Sequence, residues 1–167
     1  MKKTKLLVIS SLFAALITVT TAYICHIPIG SGGGYFHLGD TLIYLSASLL
    51  PKPYAIAAAI VGGGLADLLT APAWAIYTVI IKALICIAFT SKSKKIICLR
   101  NILALILGCF ITVSGYYLAE AIMFGSFTSP LLSVMGNLLQ SVLSGILFTV
   151  ISLFTDKKQL KMHIFKS

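Results

Sequence analysis

Apolar runs broken by short basic clusters extend the length of this chain, and that alternation limits what it can fold into. Lys2, Lys3 and Lys5 precede the first run, and Lys52 sits between two later ones. Lys92, Lys94, Lys95 and Arg100 form an interior cluster, and Lys157, Lys158, Lys161 and Lys166 follow the last run. Only 10% of the 167 residues are charged, against about 25% in soluble domains. With 59% apolar residues and a mean hydropathy of +1.03, the chain cannot coat a water-facing surface. Its solvent is lipid. A bilayer core takes about 20 apolar residues per helix, so roughly six spans would use nearly the whole chain and leave no room for a soluble domain. The net charge of +9 would suggest nucleic acid in a soluble protein. Here the basic residues flank apolar runs and speak for membrane topology instead.

The runs predict an all-α integral membrane protein, a single transmembrane domain over 1–167 with helices near 6–25, 38–50, 54–69, 74–90, 101–124 and 131–155. A single helix over 38–69 would be about 48 Å long, too long for an ordinary span. Pro51, Lys52 and Pro53 interrupt it, and proline both breaks a helix and restricts the residue before it. Six spans with both termini cytoplasmic put 12 of the 13 basic residues inside, while 26–37, 70–73 and 125–130 carry no charge. That bias sets the expected orientation. Lys2, Lys3 and Lys5 before an apolar run also resemble a signal peptide. Thr20–Thr21–Ala22 is a poor cleavage site and Ala22–Tyr23–Ile24–Cys25 a poor lipoprotein box, so the first run is expected to remain as a helix.

Ionisable groups in lipid are costly, yet Asp40, Asp67, Lys82 and Glu120 all fall within or beside the spans. On the expected topology they lie in the outer half, with Asn137 and Gln140. Six of the seven tyrosines lie on that side too, Tyr54 being the other. An ordinary aromatic belt would mark both interfaces. Polar groups converging with rings describe a small-molecule pocket. The candidate substrate-binding residues are Tyr35, His37, Asp40, Tyr44, Asp67, Trp74, Tyr77, Lys82, Tyr117, Glu120, Asn137 and Gln140. Purely structural roles compete with this: Asp40 could cap the second helix, and Lys82 could pair with Asp67 or Glu120.

Ile29–Tyr35 holds Gly30, Gly32, Gly33 and Gly34 but no phosphate-loop Gly-Lys-Ser/Thr, so it is read as a lid over the pocket or a slack connector. His26 and His37 bracket it, and with Asp40 they make a weak metal set; no metal and no cofactor is expected. Cys25, Cys86, Cys98 and Cys109 lack paired ligand spacing and read as packing residues. Ala55, Ala59, Gly62, Gly63 and Ala66 form a small-residue stripe for close helix packing. No histidine stands in a serine-nucleophile motif.

Ser11-Leu-Phe-Ala-Ala15 in the first helix and Gly34-Tyr-Phe-His-Leu-Gly-Asp40 opening the second resemble the substrate-binding S-components of energy-coupling factor (ECF) vitamin transporters. Gly62-Gly-Gly-Leu-Ala-Asp67, Ala71-Pro-Ala-Trp74 and Ile80-Ile-Lys82-Ala extend the likeness, most closely to the pyridoxine and hydroxymethylpyrimidine branch. The resemblance implies a high-affinity vitamin-binding subunit in a prokaryotic plasma membrane. Such a subunit docks on a transmembrane coupling protein driven by two ATPases. It also implies docking through an Ala-x-x-x-Ala pattern on helix 1, where this chain has Ser11 and Ala15. An intramembrane enzyme using Asp67, Lys82 and Glu120, or a ligand-free assembly subunit, are the alternatives.

Overall fold

Proline and glycine chemistry decides where each apolar run stops. The computed structural model describes residues 3–24, 27–29 and 34–161. Six helices form the bundle: α1 (Lys3–Tyr23), α2 (Gly39–Leu49), α3 (Lys52–Thr70), α4 (Ala75–Ala88), α5 (Leu99–Phe124) and α6 (Leu131–Lys157). Leu50, the residue before Pro51, is extended at φ −94°, ψ 152°, as proline demands of its predecessor. Its N–H still donates to the Ser46 carbonyl at 2.8 Å, closing α2. Pro51 then caps α3, and Pro53 lies in its first turn, where a missing N–H costs nothing. Pro72 starts a short 3-10 turn through Trp74 that leads directly into α4. Gly125 ends α5 in the left-handed region at φ +61°, where glycine avoids the Cβ clash.

The bundle is all-helical, but two features differ from a simple set of six spans. The connection from α1 to α2 contains a two-stranded antiparallel hairpin, β1 (Ile27–Ile29) on β2 (Gly34–Phe36), with Pro28 opposite Tyr35. Gly30–Gly33, with His26 and Cys25, lie outside the described residues. Backbone pairing, invisible to apolar periodicity, makes the strands. Further, α1, α3, α5 and α6 are long and apolar enough to cross a membrane. α2 has 11 residues, about 16 Å of helix, which is half a bilayer core.

Packing is inverted relative to a soluble domain. Ile76, Ile106, Phe110, Ile122 and Leu132 are exposed, whereas Asp40, Lys82, Asn101, Gln140 and Ser144 are buried. Apolar side chains facing outward and hydrogen-bonding groups facing inward suit a lipid solvent. α1 and α3 approach closely because a Cβ on Gly62 would meet the Ile17 Cβ at 2.7 Å and the Ala14 carbonyl at 2.8 Å. The contact is fastened by Ser10 donating to the Tyr54 carbonyl (2.8 Å) and Thr18 to that of Gly62 (3.1 Å). Ala55, Ala59, Gly63 and Ala66 are buried along the same helix.

The basic end is stitched by its own charges. Helix C-termini present carbonyls without helical partners. Lys52 Nζ reaches the Ile87 carbonyl (3.1 Å), Arg100 Nε that of Ala88 (3.4 Å), and Lys161 Nζ that of Ser48 (2.8 Å). The Asp156 carboxylate accepts the N–H groups of Ile96 and Ile97, both at 2.8 Å. Asn101 holds Thr90 and the Ile96 carbonyl. Burial draws the Lys161 ammonium below the usual lysine range, although nearby Asp156 opposes that shift.

Candidate functional site

The opposite end of the bundle turns its polar groups inward. Asp40 sits in the first turn of α2, but its carboxylate does not cap the helix. Its Oδ1 lies 2.6 Å from Lys82 Nζ in α4, and both residues are almost wholly buried. Gln140 in α6 donates Nε2–H to Asp40 Oδ2 at 3.1 Å, and its Oε1 accepts the His37 N–H at 3.2 Å. His37 Nδ1 accepts the Gly39 N–H at 3.1 Å, and Thr41 donates to the Ser144 carbonyl at 3.2 Å. One ion pair thereby ties α2, α4, α6 and the hairpin exit together.

Aromatic side chains flank this network. Lys82 Nζ lies 5.2 Å from the centre of the Tyr116 ring, within cation–π range. Tyr116 shares a 2.8 Å hydrogen bond with Thr78, and its ring centroid is 6.0 Å from that of Trp74. Gly115 makes this approach possible, since a Cβ there would strike Ile81 at 2.8–2.9 Å. One turn along α5 from Tyr116 is Glu120, buried, with Oε1 accepting from Ser133 at 3.0 Å.

The twelve candidates therefore separate into groups. His37, Asp40, Lys82 and Gln140 form the network, with buried Asp67 near enough to act electrostatically on Lys82. Trp74 borders it through Tyr116, Glu120 lies one turn farther along α5 and is held by Ser133, and Tyr77 and Asn137 are partly buried on α4 and α6. Tyr117 is turned aside, its hydroxyl donating to the Phe127 carbonyl at 2.8 Å. The Tyr35 side chain lies outside the described ones.

Tyr44 sits within an aromatic cluster. Its ring stacks on Phe89 at 5.2 Å and meets Phe148 edge-on at 6.1 Å, with Phe89 and Phe148 themselves 5.7 Å apart. These aromatics belong to the buried core cluster, with Tyr44 one turn along α2 from Asp40. The competing possibility that Lys82 pairs with Asp67 or Glu120 is corrected: Asp40 is its ion-pair partner. An acid–base enzyme built on Asp67, Lys82 and Glu120 loses its central lysine to that pair. Tyr116, Thr78 and Ser133 were absent from the sequence-derived set. The four-residue spacings Thr78–Lys82 and Tyr116–Glu120 place each pair on one helix face and were a usable signal. A separate groove of about 730 Å³ between α5 and α6, lined by residues such as Leu105, Phe110, Val142 and Ile146, shares no residue with the network.

Removing one member of a buried ion pair strands the other charge, at about 3–5 kcal/mol, while replacing both is often nearly neutral. Lys82→Met and Asp40→Asn should each lower thermal stability in detergent by that order. The double variant should recover most of the loss, read as a double-mutant cycle. Additive losses would show that the pair does not organise the bundle.

Comparison with known proteins agrees with this architecture. Over 111 residues, covering 65% of this chain and 74% of the relative, it is 33% identical to a Pyrococcus woesei protein described as "Uncharacterized protein in gap 3'region". A family model described as "ECF-type riboflavin transporter, S component" matches residues 1–157. Such proteins are membrane-embedded substrate-binding subunits that work with an ECF module and its ATPases, and are not enzymes. An end lined with buried polar groups and rings, in a bundle with an apolar exterior, is what that role requires, and the chain belongs to the ECF-type S-component family.

Proposed function

We propose that this protein captures a small, polar, ring-containing vitamin or precursor, of the pyridoxine or hydroxymethylpyrimidine type, at the end of the bundle built around Asp40, Lys82 and Gln140. The observation that carries the reading is the Trp74–Tyr116 ring pair beside a buried hydrogen-bonding network, at the end free of surface charge. Aromatic faces stack on a ring while carboxylate, amide and hydroxyl groups read its substituents. Riboflavin is the second reading, favoured by the description of the matching family model. Mass spectrometry of the small molecule that co-purifies from rich medium tests both, followed by calorimetry with pyridoxine and with riboflavin. A B6-like or pyrimidine ligand is expected. A yellow preparation releasing flavin selects riboflavin, and absence of any bound metabolite removes the ligand-binding reading.

The site end faces outward in this proposal, and both termini are cytoplasmic in a prokaryotic plasma membrane. The support is the placement of Lys52, Arg100 and Lys161 at the opposite end, as cytoplasmic enrichment in Lys and Arg requires. Single cysteines at Ser93 and Thr128, in a cysteine-free background, should label from the inside and the outside respectively. The reverse pattern overturns the orientation.

Docking on the ECF coupling subunit, driven by two ATPases, is assigned to Ser11 and Ala15 on α1. In support, both are exposed while Ser10 and Ala14 are buried against the bundle. Small residues four apart allow close helix approach. Ser11→Trp or Ala15→Trp should abolish uptake with the ATPase complex while calorimetric ligand binding persists. Normal uptake by either variant would move the docking surface elsewhere.

A further inference from the structure

One carboxylate at the site end is incompletely matched. Asp40, Asp67 and Glu120 are buried there together with Lys82 and His37. Every other lysine and arginine of the sequence lies in the terminal segments, in the Lys52 turn or between Lys92 and Arg100. Lys82 is committed to Asp40 at 2.6 Å and covered by the Tyr116 ring. Glu120 is different. It is only 3% exposed, yet its one hydrogen bond among the described residues runs from Ser133 to Oε1. Its Oε2 is buried with no donor among the described residues. A carboxylate oxygen enclosed without a donor or counter-charge is strongly unfavourable, and a positively charged partner removes that penalty most effectively.

We infer that the ligand carries a nitrogen cation, a protonated amine or a quaternary ring nitrogen, which pairs with Glu120 Oε2 while its ring lies against Trp74 and Tyr116. This rests on the ligand-binding reading above and narrows it by charge. Within the B6 type it selects the protonated amine of pyridoxamine over neutral pyridoxine, and within the pyrimidine type a form carrying a charged nitrogen over neutral hydroxymethylpyrimidine. The rings reinforce the choice, because their π-faces attract cations. An anionic ligand would face the unmatched Glu120 oxygen, with the lysine already paired to Asp40. Phosphorylated forms of the same vitamins are therefore rejected. The competing arrangement is a ligand that offers only hydrogen-bond acceptors near Glu120, which Glu120→Gln would bind at least as well as the parent protein.

The test is competitive native mass spectrometry of the purified protein in detergent, offered an equimolar mixture of six probes. Thiamine and pyridoxamine are the cations, pyridoxine and riboflavin the neutral compounds, and flavin mononucleotide and pyridoxal 5′-phosphate the anions. A charge-assisted bond predicts a cation bound about ten- to hundredfold more tightly than the neutral probes, with the anions weakest. Glu120→Gln should shrink that preference by about tenfold or more. Preference for a neutral or anionic probe in the parent protein overturns the inference while leaving the ligand-binding reading standing, and this needs no variant to fold. A cation preference that persists in Glu120→Gln overturns it as well. Binding of none of the six overturns the charge inference, and the ligand-binding reading is then decided by the co-purification experiment above.

Discussion

A lysine ammonium inside a lipid-facing bundle is tolerable only when an opposite charge meets it at hydrogen-bond distance and the carboxylate's other oxygen has a donor of its own. Lys82 and Asp40 meet that condition at 2.6 Å, and the rest of the site end follows from the way it is met. Asp40 has a second oxygen to satisfy, which Gln140 does. Gln140 has a carbonyl to satisfy, which the His37 N–H does. Each demand recruits another element, so the register of α2, α4 and α6 and the exit of the hairpin are set by one chain of hydrogen bonds. Lipid supplies no hydrophobic force between helices, and such polar contacts together with close packing take its place.

The two ends of the molecule use charge in opposite ways. At the basic end, Lys52 of α3 and Arg100 of α5 reach carbonyls in the last turn of α4, Lys161 beyond α6 reaches the Ser48 carbonyl of α2, and the Asp156 carboxylate of α6 holds the 89–98 connection. Nothing there needs to be reorganised. At the other end, carboxylates, an amide and a histidine are drawn inward among Trp74 and Tyr116, with Glu120 incompletely matched. A substrate-binding subunit needs one firm end and one end whose polar groups are selective. The short α2 serves that division. It stops at Leu49 under the constraint of Pro51 and starts at Gly39. A side chain at Gly39 would collide with Thr21 of α1.

Within the described residues, much of the fold was legible in the sequence because the signals are local. The break at Leu50–Pro51–Lys52–Pro53 acts through the backbone of adjacent residues. The small-residue stripe of α3 is readable because a helix repeats its faces every three to four positions. Charge placement at the ends of runs needs no knowledge of contacts. The hairpin was not legible: Ile27–Ile29 and Gly34–Phe36 are too short for strand periodicity, and their pairing is a backbone event. Nor was the fate of Tyr44. An aromatic in an apolar helix looks the same whether it lines a pocket or fills a core, and only Phe89 and Phe148 decide which.

By itself the sequence determined the solvent, the helix count, the interruption at the prolines and the set of polar residues that had to be buried together. It could not determine who meets whom. Asp40 and Lys82 are 42 positions apart and Asp40 and Gln140 are 100 apart. Asp67 and Glu120 were equally eligible partners for the lysine on charge alone. Tertiary packing chose, through the close approach of α4 and α5 at Gly115 and of α3 near Thr78 and Lys82 at Gly63. Helix propensity and hydropathy act over a few residues, whereas the pairing of buried charges depends on where separate helices are allowed to touch.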